Sequence, residues 1–126
     1  IISDSQFRNI SDKALSVGEG SSMTADNIII DMAGTGAASK DGSTLNISNS
    51  IIKNSEYAGL ITYVKKHAYG PASIHAGNMT FENNKYSVLS QKGSSIIIDG
   101  IAVENEDIDV TQLYRTIMKK GKANES

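Results

Sequence analysis

The sequence predicts an all-β solenoid, a coil of about five rungs whose successive turns pair in parallel, followed by a C-terminal amphipathic capping helix. Three observations predict this fold class: a short motif that recurs along the chain, an alternation of apolar residues before each copy, and a change to helical spacing near the end. The motif is an apolar residue, a charged residue and Asn, with Met replacing Asn once. The copies are Phe7-Arg8-Asn9, Ile30-Asp31-Met32, Ile52-Lys53-Asn54, Phe81-Glu82-Asn83 and Val103-Glu104-Asn105.

The spacing of this motif sets the length of one turn of the coil. Its last residues lie at positions 9, 32, 54, 83 and 105, so consecutive copies are 23, 22, 29 and 22 residues apart. A Gly follows each of the first four copies, at positions 20, 42, 70 and 93. A repeat of about 22 residues cannot bury its own apolar face and needs neighbours above and below it, as in a solenoid.

Two short strands are predicted before the last residue of each later motif. Inward residues alternate there in two pairs, and a one-residue shift in phase between the pairs marks a corner, because side chains on a strand alternate between its faces. The corners are Asp26-Asn27, Ser48-Asn49, Gly77-Asn78 and Asp99-Gly100, residue types that tolerate turn or left-handed backbone. The predicted inward residues are Met23, Ala25, Ile28, Ile30, Leu45, Ile47, Ser50, Ile52, Ile74, Ala76, Met79, Phe81, Ile96, Ile98, Ile101 and Val103.

A third short strand is predicted after each of the first four motifs, over residues 14–17, 36–39, 59–62 and 86–89. Three strands and three corners in about 22 residues describe a coil whose turns hydrogen-bond in parallel. Asn at the end of the motif is interpreted structurally, since stacked amide side chains at one corner can hydrogen-bond from turn to turn.

The last segment is predicted to be a helix. From Asp109 onward the residues Val110, Leu113, Tyr114, Ile117 and Met118 have helical spacing, Lys119 and Lys120 lie in the last turn, and Gly121 follows. Asp109 or Thr111 is placed to cap the amino end, and cations suit the other end. The helix is expected to cover the open final rung. The predicted organisation is β-helix rungs over 1–108, a capping helix over 109–121 and a tail over 122–126.

Composition excludes several classes of function. The chain has 126 residues, a net charge of −2 and no Cys, which argues against nucleic-acid binding and excludes thiol chemistry and Cys-ligated zinc. No stretch approaches the roughly 18 apolar residues of a membrane span. The chain opens at Ile1 without a signal-like region, so we expect a processed product or an excised domain. Its first rung is expected to have an exposed edge through which copies could self-associate.

The repeats, with their apolar-x-apolar pairs, their Asn, Asp or Gly corners and their apolar-x-Asn endings, resemble the right-handed parallel β-helix family, a superfamily that includes the pectate lyases. The resemblance covers residues 2 to about 108. Segments 11–19, 38–43, 63–66 and 69–72 are also similar to C-terminal β-helix regions of uncharacterised exported bacterial proteins. The resemblance implies an extracellular, cell-surface or periplasmic location. The superfamily includes polysaccharide lyases, hydrolases and epimerases as well as structural stalks, so the fold does not choose among them.

The residues give little support to catalysis. Lyases of this fold hold Ca²⁺ with clustered acids and use Arg or Lys as the base, and its hydrolases use acids on adjacent rungs. Here the motif charges form one charged file, which alternates in sign at first and is best interpreted as a ladder of solvated ion pairs. Its members are Arg8, Asp31, Lys53, Glu82 and Glu104. The acids 104, 106, 107 and 109 are assigned to the solvated exit toward the helix. No catalytic residue, metal ligand or cofactor is therefore predicted, and His75 should face solvent.

The third rung is about six residues longer than its neighbours, and the excess falls in the segment 63–70, here called the 63–70 loop. Insertions in one rung of a solenoid become loops on one face and often carry binding. Aromatic rings beside cations suit sugar rings and acidic glycans. Lys40 and Lys92 occupy similar turns in the adjacent rungs. The candidate ligand-binding residues are Tyr63, Lys65, Lys66, His67, Tyr69, Lys40 and Lys92, and the simpler interpretation of the loop is a surface excursion with solubilising Lys.

Two functions remain open from the sequence. The preferred one is a non-catalytic β-helix module of an exported bacterial surface protein, acting as a stalk or as a surface that binds carbohydrate or another domain of the same protein. The alternative is a fragment of a polysaccharide lyase, hydrolase or epimerase that acts on acidic glycans. A groove in which the 63–70 loop faces outward carboxylates on adjacent rungs would favour the enzyme.

Overall fold

The computed structural model describes residues 1–116, and it confirms the all-β fold class. Little of the described chain is helical. The elements are β1 (Ile2–Val17), β2 (Ser22–Lys40), β3 (Thr44–Lys53), β4 (Ala58–Tyr63), a 3₁₀ turn (His67–Tyr69), β5 (Ser73–Glu82), β6 (Tyr86–Gln91), β7 (Ser95–Ile98), β8 (Ile101–Ala102), β9 (Asn105–Glu106) and α1 (Val110–Thr116).

The strands form one curled sheet that is organised in two columns of parallel pairs. β1 pairs along much of β2, whose first half pairs with β3 and whose second half pairs with β4. The first column continues from β3 to β5 and β7, and the second column continues from β4 to β6 and β9. Each strand therefore lies beside the strand that follows it by about one repeat, which is the spacing between successive motifs.

The register stacks like residues on each other, as the repeat predicted. Leu45 pairs with Ile74, and Ile74 pairs with Ile96. All three side chains are fully buried. Met23 precedes them in the same file, opposite Leu45. Full burial of one such aliphatic side chain contributes about 1.5–3 kcal/mol, so each member of this file stabilises the first column.

The predicted corners have left-handed backbone. The φ angle is +53° at Asn27 and Asn49, +52° at Asn78 and +50° at Asp99. The motif ends are left-handed as well, at Asn9, Met32, Asn54 and Asn83. Asn and Asp tolerate this region better than other side chains, which explains why they recur at these places.

Amide side chains at the motif ends form the predicted hydrogen-bonded stack. The Asn83 Nδ2 donates to Asn54 Oδ1 at 2.8 Å, and the Asn54 Nδ2 donates to Asp31 Oδ1 at 2.7 Å. The structural interpretation of the motif Asn is confirmed for Asn54 and Asn83. In the second copy the acceptor is Asp31, because Met32 has no amide to offer.

The C-terminal segment packs against the outer side of the second column. Leu113, with the partly buried Ile108 and Val110, belongs to a second apolar cluster that includes the outward residues Ala38, Ile61 and Leu89. The helix was expected to cover the open final rung, whereas these contacts are lateral ones with β2, β4 and β6.

The amino end of the helix is capped as predicted. Asp109 Oδ1 accepts a hydrogen bond from the backbone N–H of Gln112 at 3.0 Å, which satisfies one of the free donors of the first turn.

The last turn departs from the predicted parallel coil. β8 pairs antiparallel with β7, with Ile101 opposite Ile98. Asp99 and Gly100 both have positive φ, and this Asp-Gly pair is a strong signal for a two-residue hairpin. Ile101 is consequently 73 % exposed, so its predicted inward position was wrong.

Several predicted features lie outside the described residues. They are Ile117 and Met118 of the apolar helix face, Lys119 and Lys120 of its last turn, Gly121, and the tail over 122–126.

Candidate functional site

The 63–70 loop runs from the end of β4 to the residues before β5, beside the ends of β2 and β6. Lys40 at the end of β2 pairs with Tyr63 at the end of β4. On the other side, the backbone N–H of Val64 donates to the Gln91 side-chain oxygen at 2.7 Å, and Lys92 follows Gln91. The structure therefore places Lys40, the loop and Lys92 along the same edge, as the sequence predicted.

A buried carboxylate fixes the start of the loop. Asp41 is fully buried, and its Oδ1 accepts the backbone N–H groups of Lys65 at 2.7 Å and Lys66 at 2.6 Å. Charge-assisted bonds of this kind are stronger than neutral ones, so Asp41 positions the loop. Sequence reasoning missed this role, because an Asp before a Gly is an ordinary turn signal and gives no sign of burial.

Tyr63 is not a surface residue, and its assignment as a ligand-binding candidate was wrong. Its side chain is fully buried in the second apolar cluster, with Ile61, Leu89 and Leu113. The reason is that the C-terminal segment covers the outer side of β4. A ligand at the surface cannot stack on a ring in that position.

The charge of Lys66 is engaged within the protein. Its Nζ lies 2.6 Å from Glu19 Oε1, in the connection between β1 and β2, and both side chains are 52 % exposed. Hydrogen bonding between them raises the pKa of Lys66 and lowers the pKa of Glu19. Lys66 therefore joins the loop to a distant turn and is less available to an anionic ligand than the sequence suggested.

The remaining loop candidates are exposed. Lys65, His67 and Lys92 face solvent, and Tyr69 is 48 % exposed, whereas Lys40 is half-buried. A side chain at Gly42, in the turn below, would collide with the carbonyl oxygen of Tyr69. The loop therefore rests on the backbone of its neighbour, and Tyr69 is the exposed one of its two Tyr residues.

The charged file is partly an ion-pair ladder. The register aligns Arg8, Asp31, Lys53 and Glu82, and the Arg8 guanidinium lies 3.3 Å from Asp31 Oδ2. The side-chain hydrogen bond from Asn54, followed by the one from Arg8, lowers the pKa of Asp31 below its ordinary value of 3.8. Glu104 lies between β8 and β9, outside the register that aligns the other four residues.

A cavity that sequence reasoning missed lies between the second column and the C-terminal segment. It has a volume of about 350 Å³. The rings of Tyr57 and Tyr86 line it and meet edge to face, with their centres 5.6 Å apart and their planes at 76°. A signal was present: Tyr57 and Tyr86 are 29 residues apart, as are the motif ends Asn54 and Asn83, so consecutive turns carry the rings at equivalent positions.

The rest of the cavity wall is acidic and apolar. The other lining residues are Leu89, Glu106, Asp107, Ile108, Asp109, Gln112 and Leu113. Leu89 and Leu113 are buried, whereas the three carboxylates lie at the exposed rim. Burial, and then the nearby Tyr86 and Glu106, raise the pKa of Tyr57.

The described residues contain no group of three or more His, Cys, Asp or Glu side chains placed to hold a metal ion. His75 is exposed on β5, as predicted, and His67 is exposed in the loop.

Comparison with known proteins identified no relative. No family model matches the chain, and neither a curated protein nor a solved structure matches it significantly. Within residues 1–116, no helix is both long and apolar enough to cross a membrane.

Proposed function

We propose that this chain is a right-handed parallel β-helix module that serves as a non-catalytic stalk in an exported bacterial surface protein. The parallel register of the two columns and the left-handed corners at regular intervals support the architecture. A coil of this kind is stabilised mainly by contacts between neighbouring turns, so it acts as a rigid spacer whose length grows with the number of turns.

The observation that carries the proposal is the use made of the polar corner residues. Asn27 Nδ2 donates to Asp4 Oδ1 at 2.6 Å, Asn49 Nδ2 donates to Asp26 Oδ1 at 2.8 Å, and Asn78 Nδ2 donates to Asn49 Oδ1 at 2.7 Å. In the first two of these bonds the acceptor is a carboxylate, that of Asp4 or Asp26, so two acidic side chains are engaged with the next turn and are not directed at a substrate. These bonds hold adjacent turns in register.

A mechanical measurement tests the stalk. Single chains pulled between their ends in a force microscope should unfold at high force and in steps that correspond to one turn each. The matched variant Asn54→Gly should lower the unfolding force, because it removes the bonds to Asp31 and Asn83 while tolerating the left-handed backbone. Unfolding at a force indistinguishable from that of a flexible chain would overturn the proposal.

An activity screen tests the absence of catalysis. The chain is incubated with polygalacturonate, alginate and other acidic polysaccharides, with and without Ca²⁺, and new reducing ends and unsaturated uronates are measured. We expect none above a heat-denatured control. If either product is released, and if substitution of one carboxylate abolishes that release, the stalk proposal is wrong and the enzyme alternative is supported.

The exposed candidates of the 63–70 loop also support a binding role for the stalk surface. A glycan array that includes acidic polysaccharides tests it, with the variant Lys65→Ala/Lys66→Ala compared with Lys53→Ala/Lys85→Ala, which removes the same charge elsewhere. Loss of binding in the loop variant alone supports the role. Binding that is equal in the two variants removes the loop from consideration.

A further inference from the structure

We propose that the Tyr57–Tyr86 cavity binds a compact organic cation, an alkylated ammonium group such as the head of choline. This ligand class differs from the acidic glycans that the 63–70 loop suggested. The site lies on the second column and the C-terminal segment, and it does not depend on the stalk role.

The aromatic wall provides the first argument. An ammonium group is attracted to the face of a Tyr ring within about 6 Å of its centre. The Tyr86 ring already attracts one cation of the protein itself, since the Lys85 Nζ lies 5.8 Å from its centre. Tyr57 meets Tyr86 edge to face, so the two ring planes are nearly perpendicular and form a corner of the cavity.

The charge of the lining provides the second argument. Glu106, Asp107 and Asp109 line the cavity, and no Lys, Arg or His is among its described lining residues. Asp109 also caps α1, so Glu106 and Asp107 are the carboxylates left to face a ligand. The three acidic lining residues outnumber the one cation that the structure describes beside the Tyr86 ring, Lys85, so the site favours a cation over uronates and sulfated sugars.

The size and the apolar floor select the kind of cation. A volume of about 350 Å³ is near the lower end of the range of about 300–1,000 Å³ for small-molecule sites. The buried Leu89 and Leu113 offer an apolar floor for methyl or methylene groups. A bare metal ion would leave this floor unused, whereas the methyl groups of an alkylated ammonium would contact it.

The test compares choline with its uncharged isostere 3,3-dimethylbutanol, which has the same shape and lacks only the charge. Each is titrated into the isotopically labelled full chain, and binding is followed by amide chemical shifts. We expect saturable binding of choline, with the shifts confined to residues 57–58, 86–89 and 106–113. The isostere should bind at least about tenfold more weakly, a difference of about 1.4 kcal/mol.

Variants separate the cavity from general attraction to a negatively charged protein. Tyr86→Leu, Glu106→Gln and Asp107→Asn should each weaken choline binding several-fold. Glu104→Gln removes the same charge from a residue outside the lining and should leave the affinity unchanged. Asp107→Asn changes an exposed side chain without changing its shape, so this variant should fold. It therefore still tests choline binding at the cavity if Tyr86→Leu fails to fold.

A further arm distinguishes the source of the head group. Vesicles of phosphatidylcholine carry the same ammonium beside a phosphate, which the acidic rim should repel, so we expect free choline to bind and the vesicles not to sediment the protein. Equal affinity for choline and its isostere, shifts outside the named segments, no saturable binding, or sedimentation with vesicles but no binding of free choline would each overturn the proposal.

Discussion

β3 and β4 are consecutive strands of the same turn, yet they are buried in different ways. Along β3, Leu45 and Ile47 are buried and Asn46 between them is exposed. All six residues of β4 are buried. β3 has one face on the core and one in solvent, whereas β4 has the aliphatic core on one side and the C-terminal segment on the other. A strand of this curled sheet therefore shows alternation only where nothing covers its outer face.

The most severe test of this comparison is truncation on both faces of both strands. Leu60→Ala and Ile61→Ala in β4, and Ile47→Ala in β3, should each lower the free energy of unfolding by about 2–5 kcal/mol, because each removes a fully packed side chain. Asn46→Ala is the matched control and should change it by less than about 0.5 kcal/mol. Denaturant titration measures all four. An Ile61→Ala variant as stable as Asn46→Ala would show that the outer face is not covered.

Removal of the cover alone sharpens the comparison. Leu113→Ala should cost about 2 kcal/mol, at the lower end of the range for a buried Leu, because the C-terminal segment can relax around the gap. The chemical shifts of Ala38, Ile61 and Leu89 should change, while those of Leu45 and Ile74 in the first column should not. Shifts that spread equally into both columns would contradict the assignment of Leu113 to the outer side of β4.

The corner ladders join the turns independently of the apolar files. Asn54→Ala should lower stability by about 1–3 kcal/mol, because Ala at a φ of +58° is strained and two side-chain hydrogen bonds are lost. Asn54→Gly loses the same bonds without the strain and should be milder. Thermal unfolding of the pair measures the two contributions, and a Gly variant less stable than the Ala variant would refute this division.

The smallest expected effect is a pH dependence of Asp31. Its pKa is lowered in the folded state by Asn54 and Arg8, so folding favours the charged form. The contribution is present above the ordinary value of 3.8 and is lost as the pH falls through the lowered folded value. Asp31→Asn should therefore flatten the acid limb of the stability profile, measured by denaturation at a series of pH values. An unchanged acid limb would show that Asp31 gains nothing from its partners.

The first column could be predicted from the sequence because its signals are local. Alternation identified Leu45, Ile74 and Ile96 as one buried file, and Asn and Asp at the phase shifts identified left-handed corners. These features depend on residues within a few positions of each other, and repetition in five copies separates them from chance.

What the sequence could not predict depends on contacts between distant segments. Tyr63 ends a strand in a way typical of an exposed residue, and it is buried because a segment about 50 positions later lies against it. The cavity of Tyr57 and Tyr86 requires that same segment. The hairpin at Asp99-Gly100 is a different case. The Asp-Gly pair is itself a hairpin signal, but the repeat led to the prediction of one more corner of the parallel coil.

The contact between Gly42 and Tyr69 links the evolution of two turns. Gly20 and Gly42 both have positive φ, with values of +73° and +72°, but only Gly42 also lies against another turn's carbonyl oxygen. A side chain at position 20 causes backbone strain alone, whereas a side chain at position 42 must also displace the 63–70 loop. Related chains with a shorter 63–70 loop should therefore accept Asn at position 42. Related chains that keep the full loop should retain Gly there.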